Sequence, residues 1–220
     1  MKITKYLIIL IYLILISVSK GNNYRLDNYD ISKISENQKA NIYTLDIDNK
    51  VVDIKKLKEF KNLRNLSIKN SKILNFNELN GNKKLLVISL EDSVVIESDN
   101  NIEWNLENLR ELVLINIKGI DNLNIIKNSK KIETIIVRNL GLENIEIADS
   151  SNLTYVDLRE NKLKNINFLK NNKIIEILLL DKNKIEEIDV KNFLKLKILS
   201  IKENNLRKRI LNTNKLHVFQ

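Results

Sequence analysis

Apolar residues recur along the chain in a short pattern that returns about every 22 residues. The pattern is an apolar residue, two variable residues, a second apolar residue, one variable residue and a third apolar residue. Its alternating end is typical of a strand whose side chains point inward and outward in turn. Eight copies begin at Ile42, Leu63, Leu85, Leu109, Ile132, Leu153, Ile175 and Leu196.

Repeats of this length predict a solenoid, because one such unit buries its apolar face only by stacking on its neighbours. Leu153, Val156, Leu158, Asn161 and Leu163 form one complete copy of the pattern L-x-x-L-x-L-x-x-N-x-L. This pattern resembles the leucine-rich repeat family in its short bacterial, internalin-like form. The resemblance implies an α/β repeat fold, with a curved parallel sheet on the concave face and short helical or irregular segments on the convex face.

The resemblance also implies an asparagine ladder where each strand ends, formed here by Asn161, Asn183 and Asn204. An asparagine at this position can hydrogen-bond the buried backbone of the turn, which needs a partner. The first five copies depart from the pattern. They carry serine at two of the five positions, Ser71 and Ser93, and serine can do part of the same work. We therefore expect the N-terminal half to be less regular and less stable than the C-terminal half.

The chain divides into four parts on this basis. Two lysines, the apolar run at residues 6–18 and small residues ending at Ser19 are the signature of a signal peptide, residues 1–19, cleaved after Ser19. An uncleaved membrane anchor is the alternative, although the run is short for a bilayer span. We expect an N-terminal cap at 20–41, with a helix starting near Asp30, and eight repeats at 42–215. Residues 216–220 form a truncated ninth strand or the C-terminal edge.

Composition excludes most catalytic chemistry. The chain has no cysteine, no proline, four glycines and one histidine, so thiol catalysis, cysteine-based metal sites and glycine-rich phosphate loops are absent. We expect no enzyme activity, no metal and no cofactor. The 37 basic and 28 acidic residues give a net charge of +9, but they are mixed along the sequence without interleaved aromatic residues. We therefore expect no nucleic-acid partner.

The variable positions inside the strands face outward and predict a binding surface. In the middle repeats they expose aliphatic residues beside a tyrosine and two arginines, which is typical of a protein-binding surface. The alternative is that an isoleucine-rich chain scatters aliphatic residues over every face. The predicted partner-binding residues are Val113, Ile115, Ile136, Arg138, Tyr155, Asp157, Arg159, Ile177, Leu179 and Asp181.

The sequence thus predicts an exported, monomeric, non-catalytic protein, secreted or held at the cell surface or in the periplasm. It has no membrane span after signal cleavage and binds a protein partner through its concave face. The resemblance to internalin-like proteins implies adhesion or host interaction. The alternative is an intracellular or periplasmic regulatory scaffold, such as the leucine-rich subunits that accompany phosphatases.

Overall fold

The structure is a computed structural model. It describes residues 23–26, 31–80, 82–96, 105–120, 123, 126, 128–207 and 217–219, with no side-chain description for 23–26 and Ser32. The expected signal peptide and its cleavage site lie outside these residues, as does Asp30.

Short strands dominate the described residues, and most are three to five residues long. In chain order they are β1 (Asn23–Leu26), β2 (Thr44–Asp48), β3 (Val51–Asp53), β4 (Asn65–Lys69), β5 (Lys72–Leu74), β6 (Val87–Glu91), β7 (Val94–Ile96), β8 (Glu111–Ile115), β9 (Thr134–Arg138), β10 (Tyr155–Asp157), β11 (Ile177–Leu179), β12 (Ile198–Ser200) and β13 (His217–Phe219).

Ten of these strands form one parallel sheet in the order β1-β2-β4-β6-β8-β9-β10-β11-β12-β13. Equivalent residues of successive repeats are paired, as where Leu66 lies opposite Leu45 on one side and Ile88 on the other. This register keeps every inward residue in the core, because a slip of one residue would turn the inward side chains outward. The predicted parallel-sheet solenoid is confirmed.

A second parallel sheet, with the order β3-β5-β7, accompanies the N-terminal half. An isolated bridge between Val94 and Lys118 continues its pairing by one more turn. The remaining return segments contain short 3₁₀ turns at Ile31–Lys33, Ile54–Glu59, Phe76–Leu79 and Asn167–Leu169. The two halves of the solenoid therefore close their turns differently.

The N-terminal end of the described repeats carries the α-helix α1 (Glu36–Ala40). Ser35 caps it, and the side chains of Ser35 and Gln38 form a reciprocal capping box that satisfies free backbone groups at the helix start. The segment just after Asp30 forms only a 3₁₀ turn, so the α-helix begins later than the sequence predicts. Strand β1 precedes it and extends the large sheet by one strand.

Stacked aliphatic side chains fill the interior. The second apolar residue of each repeat is at most 1% exposed, from Leu45 to Leu199. Phe60 and Phe76 are also fully buried and fill the N-terminal half behind the strands. Each such side chain contributes about 1.5–3 kcal/mol to the free energy of folding, so the core rather than any single contact holds the turns together.

Candidate functional site

The register brings eight of the ten predicted binding residues onto adjacent strands of the large sheet, and Arg159 and Asp181 follow two residues after β10 and β11. Tyr155 lies opposite Thr134 and Ile177, and Asp157 lies opposite Ile136 and Leu179. We call the outward surface of β8–β11, with the residues that directly follow β10 and β11, the concave site. It comprises Val113, Ile115, Ile136, Arg138, Tyr155, Asp157, Arg159, Ile177, Leu179 and Asp181.

The sequence predicts that all ten residues are exposed, and this is wrong for the four that lie midway along the outward face. Val113 is 5% exposed, Ile136 is 3%, Asp157 is 1% and Leu179 is 8%. Parallel strands lie about 4.8 Å apart, so a side chain midway along a strand is covered by its register neighbours on both sides. The half-buried members of the site, which remain partly open to solvent, are Ile115, Arg138, Tyr155, Arg159, Ile177 and Asp181.

A buried ion pair lies at the centre of the concave site. Arg159 donates from Nε to Asp157 Oδ1 at 2.8 Å and from a terminal nitrogen to Oδ2 at 2.6 Å. The backbone N–H of Arg159 adds a third hydrogen bond to Oδ1 at 3.2 Å. This bidentate bond raises the pKa of the Arg159 guanidinium, so the guanidinium stays charged. Its partners compensate the burial of the Asp157 carboxylate.

Arg138 lies beside this ion pair but does not hydrogen-bond to Asp157. Its guanidinium is 4.0 Å from Asp157 Oδ2 and 3.7 Å from Glu160 Oε1. Its Nε is buried and has no hydrogen-bond partner within the described residues. Glu160 was missed by the sequence analysis, because it directly follows the last outward residue of its repeat rather than lying in a strand. The structure adds Glu160 to the site as a second carboxylate facing Arg138.

Tyr155 is held beside the same cluster. Its hydroxyl is buried and lacks a hydrogen-bond partner within the described residues. Burial raises the pKa of Tyr155 well above its usual range, and the negative charge of Asp157 adds to the effect. The hydroxyl is therefore neutral at physiological pH. Tyr155 presents a neutral aromatic surface between Thr134 and Ile177.

Asp181 is engaged in the structure of its own turn. Its Oδ1 accepts from the Ser200 hydroxyl at 2.6 Å and from the backbone N–H of Lys202 at 2.8 Å. These bonds tie the end of β11 to the next turn. The side chain therefore has less capacity left for a partner than its charge suggests.

The three asparagines after β10, β11 and β12 each bond two turns. Asn161 Oδ1 accepts from the backbone N–H groups of Leu140 and Leu142, both at 3.2 Å. Its amide nitrogen donates to Val137 O at 2.8 Å in the previous turn. Asn183 and Asn204 repeat this arrangement one and two turns later.

Serine takes the same position in the N-terminal half. Ser71 Oγ accepts from the backbone N–H of Lys50 at 3.1 Å, and Ser93 Oγ accepts from the backbone N–H of Ser71 at 3.0 Å. Both hydroxyls also donate to carbonyl oxygens in their own turns. A serine reaches only one neighbouring backbone group, so its turn is tied by fewer bonds than the asparagine turns.

The sequence analysis missed a second row, the residue just before each ladder position. In eight successive turns this residue is left-handed, with φ between 48° and 61°: Asn49, Asn70, Asp92, Asn116, Asn139, Glu160, Lys182 and Glu203. The first five are Asn or Asp, which tolerate this conformation. Their side chains also bond to each other, as Asn139 Nδ2 donates to Asn116 Oδ1 at 2.8 Å. The run of Asn and Asp was the signal available in the sequence.

The described residues contain no group of three or more His, Asp or Glu side chains placed to hold a metal ion. None of their helices has the length and apolar character needed to cross a membrane.

No protein-family model and no curated protein sequence matches the chain. Solved structures do match. Internalin C2 from Listeria monocytogenes aligns with a TM-score of 0.67 and 18% identity, over 85% of this chain and 83% of its own.

A leucine-rich repeat protein from Leptospira interrogans aligns with a TM-score of 0.57 and 18% identity, over 88% of this chain and 59% of its own. The leucine-rich repeat domain of LRIM1 aligns with a TM-score of 0.54 and 18% identity, over 84% of this chain and 62% of its own. This chain thus spans about three fifths of the latter two. These likenesses, the 22-residue register and the asparagine ladder agree, and the fold of this chain is the leucine-rich repeat solenoid.

Proposed function

We propose that this chain is an exported, non-catalytic leucine-rich repeat protein that binds a protein partner through the concave site. The observation that carries the proposal is that half-buried Ile115, Tyr155 and Ile177 share the outward face of neighbouring strands with the ion pair of Arg159 and Asp157. Aromatic and arginine side chains in a partly buried setting dominate the binding energy of protein interfaces.

The aliphatic members of the site support this proposal. Ile115 and Ile177 stand at outward strand positions, where a sheet facing only water normally carries polar residues. Each is half-buried already, so a partner removes the remaining apolar surface from water at little cost in side-chain freedom. The half-buried guanidinium of Arg138 makes only long contacts, 3.7 Å to Glu160 and 4.0 Å to Asp157, which suits a partner that presents an acceptor at the edge of the site.

A photo-crosslinking amino acid placed at Ile177 tests the site directly. The matched control carries the same amino acid at Val51, which is 66% exposed on the smaller sheet. We expect a crosslinked partner from Ile177 only, and its loss when Ile115→Lys is added. A partner crosslinked from Val51 and not from Ile177 would move the binding surface to the other side of the solenoid.

The export part of the proposal rests on residues 1–19 and has its own test. Edman sequencing of the protein from cell fractions is expected to begin at Lys20, in the secreted, surface or periplasmic fraction. A product that starts at Met1 in the membrane fraction would instead establish an uncleaved anchor. We place the role of the exported protein in adhesion or host interaction, by analogy with internalin-like repeats.

A further inference from the structure

Lysines gather on one flank of the solenoid. We define the lysine flank as the two positions before the first apolar residue of each repeat. They hold Lys61, Lys83, Lys84, Lys130, Lys131, Lys173 and Lys195, against one acidic residue, Glu107. The whole chain has 37 basic and 28 acidic residues, so the rest is nearly balanced, at 30 against 27.

Contacts between neighbouring turns bring these positions into one row. Asn108 Nδ2 donates to Lys83 O at 2.7 Å, Ser150 Oγ donates to Lys130 O at 2.9 Å, and the backbone N–H of Leu194 donates to Lys173 O at 2.9 Å. Adjacent turns follow the strand spacing of about 4.8 Å, so the row from the second to the eighth repeat is about 29 Å long. Lysines far apart in sequence thereby lie along one side of the solenoid, interrupted at the fourth and sixth repeats, where the flank positions hold Glu107 and Asn108, and Ser151 and Asn152.

The charge of this row is open to solvent. All seven lysines are exposed, and none makes an ion pair with another described residue. Lys84 and Lys131 donate to Asn62 and Asn108 at 2.8 and 2.7 Å, bonds that leave their charge in place.

The opposite flank, where the strands end, carries both paired and unpaired lysines. Lys69 lies 3.1 Å from Glu91 there, and Lys182 lies 3.9 Å from Glu160. Four exposed lysines on that side, at one shared repeat position, make no ion pair with another described residue: Lys72, Lys118, Lys162 and Lys184. The lysine flank holds more such lysines than this second row, seven against four.

We propose that the lysine flank binds a linear acidic polysaccharide, as a site separate from the concave site. A row of ammonium groups matches a polymer with anionic groups along its length, and binding gains from the release of the polymer's counterions. Single-stranded nucleic acid fits less well, because its bases stack on aromatic side chains and none stands at the flank positions. Phe60, next to Lys61 in the chain, is buried, and the ring of Tyr43 is covered by Arg64 at 5.4 Å.

The test uses heparin, a linear polysaccharide with sulfate and carboxylate groups, and the full chain. The flank variant is K61E/K83E/K130E/K173E, which leaves the lysine–asparagine bonds intact. The control is K72E/K118E/K162E/K184E, which changes net charge equally through the smaller lysine row on the opposite flank. Circular dichroism establishes that both variants are folded.

We expect wild-type binding that weakens with salt, at least about a tenfold loss of affinity in the flank variant, and a much smaller loss in the control. The flank variant should also show a shallower dependence of affinity on salt. Equal losses in both variants would overturn the proposal, since net charge alone would then explain binding. No binding by the wild type at low salt would do the same.

Two further arms separate this ligand from others. Uncharged dextran should not bind, and a thymidine oligonucleotide of matched charge should bind more weakly than heparin. An oligonucleotide that binds more tightly than heparin would overturn the assignment to a polysaccharide. The crosslink from Ile177 does not involve the flank lysines, so failure of this inference leaves the proposed protein partner untouched.

Discussion

The side-chain oxygen of Asn183 accepts a hydrogen bond from the backbone N–H of Leu163 at 3.0 Å, one turn earlier in the solenoid. Its amide nitrogen donates to Leu158 O and Leu180 O, both at 2.9 Å. One buried side chain thus joins two turns where their strands end. Because contacts in a solenoid run between neighbouring turns, the stability of this interface depends directly on such bonds.

Replacing Asn183 with alanine should lower the free energy of unfolding by about 3 kcal/mol, because buried backbone groups lose their partners at about 1–3 kcal/mol each. Urea denaturation followed by circular dichroism measures the change. The matched control is Asn192→Ala at an exposed position, which should stay within about 0.5 kcal/mol of the wild type. Equal effects of the two substitutions would mean that the ladder contributes nothing beyond packing.

Replacing Lys182 with glycine should stabilise the protein. It holds a left-handed φ of 58°, which is unfavourable for a long side chain, and its ammonium group is 3.9 Å from Glu160 in an exposed, weak contact. Lys182→Gly should raise the free energy of unfolding by about 0.5–1 kcal/mol. Lys184→Gly, two residues on and without a positive φ, is the control and should destabilise instead. The comparison needs only matched denaturation curves.

The two glycines within the described residues, Gly119 and Gly141, should respond differently to replacement by alanine. A Cβ at Gly119, with φ of 82°, would lie 2.2 Å from Val95 O, so the backbone must move. At Gly141, with φ of 73°, the nearest atom would be 3.9 Å away. Gly141→Ala should cost about 1 kcal/mol for the conformation alone, and Gly119→Ala distinctly more. Thermal unfolding measures the stability of both variants. A larger loss of stability in Gly141→Ala than in Gly119→Ala would contradict the geometry.

Much of the fold could be predicted because the repeat enforces it. The apolar residues at Leu66 and Ile88 pair across the sheet as their alignment in sequence requires. The asparagine positions could also be predicted, since their hydrogen-bonding capacity is fixed by residue type. In contrast, strand β1 could not be predicted, because it lies before the first copy of the pattern.

The site was harder to predict than the fold. Alternation tells which way Val113 and Leu179 point, but exposure depends on the size of the neighbours in adjacent strands, which are distant in sequence. The pairing of Asp157 with Arg159 is local and was within reach of the sequence. The lysine flank was not, because its members are mixed with acidic residues along the chain and separate from them only when the turns stack.

Glu111 should make stability depend on pH. It is 8% exposed at the start of β8, and burial raises the pKa of its carboxyl above the ordinary 4.5, with the charge of Glu133 adding to the shift. The folded state then holds its proton more tightly than the unfolded state. The stability that this provides is present below pH 4.5 and is lost as the pH rises through the folded-state pKa.

Glu111→Gln should therefore be more stable than the wild type at pH 7, and the difference should shrink as the pH falls towards 4. Urea denaturation at several pH values measures it. Glu143→Gln, at an exposed position, removes the same charge without burial and is the control. A constant difference for Glu111→Gln would show that its carboxyl is not perturbed by burial.

Tyr155→Phe should leave the protein at least as stable as the wild type at neutral pH. The hydroxyl is buried with no hydrogen-bond partner in the described residues, and an unpaired buried polar group costs about 1–3 kcal/mol. At alkaline pH the variant should gain further. Burial raises the folded-state pKa of Tyr155 above the ordinary 10.0, so the wild type loses stability as the pH rises past that value. Denaturation at pH 7 and at pH 10.5 measures both effects, and a loss of more than about 1 kcal/mol at pH 7 would mean that the hydroxyl has a partner.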